Sequence, residues 1–199
     1  GVAAEYEEEE GPGGLGADGS DDEEDDIRAV TVRTAWLDEK AAAVYCLGNV
    51  AEALGAAFLP ELDRTLAVVD KVTQYFHEDV RQNVQACLQK LWTVSFKAHT
   101  LPMRATAGDE AVALQMLHPH TSLLLDQVIA KFCETIKHDD DKETVALACE
   151  AISQTLPMVG GFCMQKNLAH IVELLRLLFD QRTPCQAGDG DEEEGEEDE

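Results

Sequence analysis

The sequence predicts an all-α fold, an α-solenoid of about three antiparallel helix pairs with acidic ends. Three observations carry that prediction. Apolar residues recur at helical spacing through the middle of the chain, no stretch alternates as a strand does, and one helical face repeats. The clearest copy of the face lies over 77–91, where an acidic turn (Glu78, Asp79) leads into Val80-Arg81 and then Val84, Cys87, Leu88 and Leu91. Ala43, Cys46, Leu47 and Val50 form a weaker copy upstream, and Ala148, Ala151, Ile152 and Thr155 a third downstream. Recurrence at roughly 40 residues is the period of paired-helix solenoids, which stack units to bury the apolar girth of each helix.

The formal net charge of −25 is unevenly placed. Residues 1–26 and 185–199 are rich in Asp and Glu and hold no Lys or Arg. All 15 Lys and Arg therefore fall in 27–184, and that body is close to neutral. The ends cannot bury enough apolar surface to offset chain entropy, and their charges repel, so both read as disordered acidic segments. The array then occupies 27–184, with pairs over 35–76, 77–137 and 138–184. No basic stripe exists to neutralise phosphates, so direct nucleic-acid binding is not expected. No run of about 18 apolar residues is read, so no membrane insertion is expected. The Cys residues form no C-x-x-C pair and read as small hydrophobes of a reducing compartment. Because the chain starts at Gly1 and both ends are acidic, it reads as a segment of a longer array.

Each helix has its own signals. A first helix is expected over 35–56, with Ala43, Cys46, Leu47, Val50 and Leu54 inward, ended by Gly55 and a Phe58-Leu59-Pro60 corner. Pro60 then opens a second helix over 60–74, with Leu62, Leu66, Val69 and Val72 inward. The third runs over 78–98 and is lengthened by Leu91, Trp92 and Phe96. Pro102, Gly108 and His118-Pro119-His120 break the pattern over 100–121, with a short helix expected within 109–117. The fourth helix, over 122–137, carries Leu125, Val128, Ile129, Phe132 and Ile136. The acidic turn Asp139-Asp140-Asp141 leads into a fifth over 142–156, with Pro157 and Gly160-Gly161 as its corner. The sixth, over 166–181, carries Leu168, Ile171, Val172, Leu175, Leu178 and Phe179.

No catalytic constellation, cofactor motif or metal-ligand spacing emerges, so the chain does not read as an enzyme. The two imidazoles of His118-Pro119-His120 lack further ligands at matched spacing. The Asp139-Asp140-Asp141 run lacks the alternate spacing and central Gly of a calcium loop and reads as helix capping. Asp79 and Arg81 are expected to pair between neighbouring units and align the stack.

Two sets of residues carry a resemblance. Asp79, Val80, Arg81, Val84 and Leu88 resemble the inner part of a HEAT repeat; the corresponding places in the other copies (Glu39-Lys40, Thr144-Val145) depart from it. Val32, Thr34, Ala35, Glu39, Lys40, Phe58, Leu59 and Pro60, following an acidic run, are similar to the mid-region of the importin-beta (karyopherin) superfamily, and 75–81 continue the likeness. It is strongest to the importin-four branch and next to the importin-five branch. The resemblance implies a nuclear import receptor that shuttles between cytoplasm and nucleus. Such a receptor binds basic cargo, of histone or ribosomal-protein type, on an acidic concave face. It contacts Phe-Gly nucleoporins and releases cargo to Ran-GTP. The concave face comes from the second helix of each pair, which makes Glu61, Asp63, Asp70, Asp126, Glu134, Glu173 and Asp180 the cargo-binding candidates. The other expectation is a HEAT scaffold outside transport, such as a histone-chaperone-like adaptor whose acidic ends do the binding.

Overall fold

The computed structural model describes residues 21–99 and 117–187, with side chains described over 35–99, 117–160 and 164–187. Most of the two acidic ends, and the short helix expected within 109–117 apart from its last residue, lie outside the described residues. The chain divides into two compact units, Gly1–Trp36 and Leu37–Glu199, and the helix packing lies in the second.

The elements are α1 (Asp21–Leu54), a 3-10 segment (Gly55–Glu61), α2 (Leu62–Asp70), α3 (Glu78–His99), α4 (Pro119–His138), α5 (Lys142–Phe179) and a 3-10 turn (Pro184–Gln186). No strand occurs among the described residues, so the fold is all-α. α5 is two helical halves broken at Gly160, whose φ of 76° and ψ of 161° suit a residue without Cβ. The corner expected at Pro157 and Gly160-Gly161 is therefore there, and the halves are the expected fifth and sixth helices. Two boundaries differ from the sequence reading. α1 begins at Asp21, inside the segment expected to lack structure; carboxylates in a first helical turn interact favourably with the helix dipole. The described chain also runs into 185–199, where Cys185 is buried and Gln186 Nε2 donates to the Leu178 carbonyl at 2.9 Å.

Sequence dictates the helix ends. α3 has Glu78 and Asp79 in its first turn and Lys97 and His99 in its last, matching the dipole at both ends. α4 starts three residues earlier than the expected 122, because Pro119 occupies its first turn and His118 caps it. α5 is capped by Asp141, whose carboxylate accepts from the Thr144 N–H at 2.7 Å.

α3 is the central element. Val80, Val84, Leu88, Leu91 and Trp92 are fully buried. Leu125, Val128, Ile129, Phe132 and Ile136 of α4 form the facing layer, the five expected from periodicity. On α5, Ala148, Ala151, Ile152 and Thr155 are buried in the same order as Val84, Cys87, Leu88 and Leu91, so this copy of the face repeats in three dimensions.

α1 does not follow. Its buried residues are Ala41, Val44, Gly48 and Ala51, while Ala43, Cys46, Val50 and Leu54 are exposed. The expected inward set is thus turned away by about one residue's rotation. Close approach decides this: a Cβ on Gly48 would lie 3.2 Å from the Cys87 Cα, so α1 sits on α3 through its smallest side chains. Gly48→Val should therefore lower the unfolding free energy by about 1–3 kcal/mol in urea titration, despite valine's better helix propensity than glycine's. The second half of α5 also differs from expectation. Ile171 and Leu174 are buried, but Leu168, Val172 and Phe179 stay exposed, because no element among those described covers that side.

One membrane expectation needs correcting. Ala35–Asp70 contains an 18-residue window of mean hydropathy 1.5, long and apolar enough by composition to cross a bilayer. In the fold this stretch is interrupted by the 3-10 segment, where Gly55 has a φ of 53°, and it contributes Ala41, Val44, Ala51, Phe58, Leu62 and Val69 to the core. Cysteines also fill the core: burial pushes the Cys87 thiol up to about 12 and the Cys133 thiol to about 11, so both stay protonated at neutral pH.

Candidate functional site

The candidate acidic residues sit on four elements. Glu61 closes the 3-10 segment, Asp63 and Asp70 lie on α2, Asp126 and Glu134 on α4, and Glu173 on the second half of α5, with Asp180 as its C-cap. All seven are at least partly exposed. Most of their charge is spoken for within the protein. Asp63 accepts from His120 of α4 at 3.0 Å, Asp70 pairs with Lys131 of α4, and Asp126 pairs with Lys166 of α5. Glu61 lies 3.7 Å from Arg64. Glu173 and Asp180 both approach Arg176 at 3.6 Å. Glu134 is exposed and borders a cleft of about 570 Å³ between α2 and α4, floored by Leu66, Leu124 and Val128. These cross-element pairs tie each second helix to the next, so the face is mixed in charge rather than uniformly acidic.

A second cleft, of about 560 Å³, lies on the first helices of the pairs. The end of α1, the start of the 3-10 segment, α3 and the first half of α5 wall it, with Ala56, Val94, Leu147, Ala151 and Met158 among the lining residues, and Glu52 and Lys90 pair at its rim at 3.2 Å.

Arg81 is placed differently from a simple ladder with Asp79. Its Nε and Nη2 donate to both oxygens of Asp139, at 2.9 and 3.0 Å, and Nη2 also donates to Asp140 at 2.9 Å. Nη1 donates to the carbonyls of Tyr75 and Phe76. The guanidinium thus joins the α2–α3 connection, α3 and the α4–α5 turn. Burial opposes its charge, but the Asp139 hydrogen bond and the Asp139, Asp140 and Asp141 carboxylates outweigh it and raise its pKa. Asp79 is exposed instead, 3.8 Å from His77. It stands in the first turn of α3. The sequence reading missed Asp139 as the partner, treating it as a cap. The acidic run was visible, but the 58 residues between Arg81 and Asp139 do not match the repeat spacing.

Further bonds continue this seam along α3. Gln82 donates to Asp141 at 2.9 Å, Gln85 to Thr135 at 3.1 Å, and Gln89 accepts from Thr155 at 3.1 Å. Partial burial pushes the Asp141 carboxyl up, but hydrogen bonds from Thr144, Gln82 and the Thr144 and Glu143 amides together hold it below its ordinary value. A depressed carboxyl contributes stability that is present above its unfolded pKa and lost as pH falls through the folded one. Asp141→Ala should cost about 1–2 kcal/mol at pH 7, and the difference from wild type should shrink below about pH 4, as read by urea titrations at both pH values.

With this geometry in view, the chain is similar to Importin-4 of Mus musculus, 25% identical over 166 residues. It is 24% identical to Importin-4 of Homo sapiens over the same length. The matches cover 82% of this chain and 14% of each relative. The likeness supports a relationship to the importin-beta family. No family model matches the chain.

Proposed function

We propose that the chain is a segment of a nuclear import receptor of the importin-four type, and that α2, α4 and the second half of α5 present its cargo-binding face. Similarity to two importins along most of the chain is the observation that carries this reading. The cargo is basic, of histone or ribosomal-protein type. Phe-Gly nucleoporins and Ran-GTP engage the full-length receptor, which shuttles between cytoplasm and nucleus. The apolar cleft between α1, α3 and α5 is where this segment would take a Phe-Gly side chain. A basic peptide would bind the α2–α4 cleft by displacing Lys131 or His120 from Asp70 or Asp63 and by meeting Glu134 directly.

The test is titration of the 199-residue chain with a lysine-rich histone-tail peptide. Binding should weaken by about tenfold between 50 and 200 mM salt, and Glu134→Lys should weaken it by about three- to tenfold at low salt. Salt-insensitive binding would sink the assignment.

The internal pairing of the face favours one other reading, a HEAT scaffold or histone-chaperone-like adaptor whose acidic ends hold the basic partner. Deleting 1–20 and 188–199 separates the two while sparing α1 and the buried Cys185. A receptor face keeps its peptide affinity after the deletion; an adaptor of the second kind loses it.

A further inference from the structure

A third cleft, of about 460 Å³, lies between the α2–α3 connection and the α4–α5 turn. Gln74 and Phe76 line it from the connection, and Glu134, His138 and Asp140 from the end of α4 and the turn. Arg81 bridges the two sides through the Phe76 carbonyl and Asp140. Glu134 also borders the α2–α4 cleft, so one carboxylate serves both openings.

The charge in this cleft is unbalanced. Its lining holds the carboxylates of Glu134, Asp139 and Asp140 against the guanidinium of Arg81. Arg81 occupies both oxygens of Asp139 and Oδ1 of Asp140. Among the described residues, Asp140 Oδ2 accepts no hydrogen bond and Glu134 has no ion pair. The Asp140 side chain is 85% exposed.

An aromatic surface lies beside these carboxylates. Phe76 is 70% exposed, and its ring centroid is 4.6 Å from that of Tyr75. The Tyr75 ring already carries a cation. The Lys40 ammonium lies 4.3 Å from its centroid and donates to its hydroxyl at 3.2 Å. Phe76 offers the same kind of π-face to a partner's cation.

We propose that this cleft is an arginine subsite of the basic-cargo face, where a guanidinium lies on the Phe76 ring and donates to Glu134 and Asp140 Oδ2. The subsite rests on the reading of this chain as a receptor for basic cargo. A guanidinium is flat, so it stacks on a ring while its N–H groups point in-plane at carboxylates. An ammonium is a more strongly hydrated point charge. The α2–α4 cleft has no aromatic lining residue and discriminates less between the two bases. The subsite therefore adds a preference for arginine over lysine.

Titration of the full chain at low salt with hexa-arginine and hexa-lysine peptides tests this. Hexa-arginine should bind about two- to fivefold more tightly. Phe76→Ala should remove that preference by weakening hexa-arginine alone, and Phe76→Trp should keep it. Because Phe76 is exposed, neither change should shift the urea midpoint. Glu134→Gln should weaken both peptides, since it borders both clefts. Equal wild-type affinities, or a preference that survives Phe76→Ala, overturn the subsite. They leave the cargo reading standing if Glu134→Gln weakens both peptides. Binding of neither peptide overturns both.

Discussion

Replacing Arg81 with Ala should lower the unfolding free energy by about 3–5 kcal/mol, the cost of removing one partner from a buried ion pair. The side chain is 11% exposed and makes five hydrogen bonds, to two carboxylates and two carbonyls. Its loss strands the Asp139 carboxylate, itself 8% exposed, on one side of the seam. Arg81→Lys should not rescue it, because an ammonium cannot reach both Asp139 oxygens and the two carbonyls from one place. The double variant Arg81→Met, Asp139→Leu should recover much of the loss, since neither charge is then left unpaired. Urea titrations of the three variants measure this. A loss below about 1 kcal/mol for Arg81→Ala would show the seam to be solvated and marginal.

Phe132→Ala should be as damaging, at about 3–5 kcal/mol. Phe132 is fully buried on α4 and belongs to the layer that meets α3. Truncation removes the apolar burial and leaves a cavity that a helix pinned by Asp70–Lys131 and Asp126–Lys166 cannot close freely. Phe132→Leu fills most of that space and should cost less than half as much. Equal losses for the two would mean that ring shape, not volume, governs this layer. The two sites are joined through α4 and its turn, so the Phe132→Ala and Arg81→Ala costs need not add in a combined variant.

The helices were legible because their signals are local. The Leu125, Val128, Ile129, Phe132 and Ile136 stripe, the Asp141 cap and the Gly160 corner each depend on residues within a turn or two. α1 was not legible in its orientation, because it carries apolar residues on more than one side. Its choice of Ala41, Val44, Gly48 and Ala51 over Ala43, Cys46 and Val50 depends on how closely two backbones approach at Gly48 and Cys87. The candidate acidic residues lie on or beside α2, α4 and the second half of α5, but their cations were not foreseen, because Asp70 and Lys131 stand 61 residues apart.

By itself, the sequence determined an all-α chain of paired helices, a nearly neutral body between acidic ends, and the likeness to import receptors. Helical periodicity, capping and charge are local or additive properties, and they survive without knowledge of neighbours. Tertiary structure decided which face of α1 is buried, that Arg81 is held by Asp139 rather than paired through Asp79, and that most acidic residues of the candidate face are already matched by cations. Each of those is a contact between residues distant in the chain, and its energy exists only once the helices are side by side.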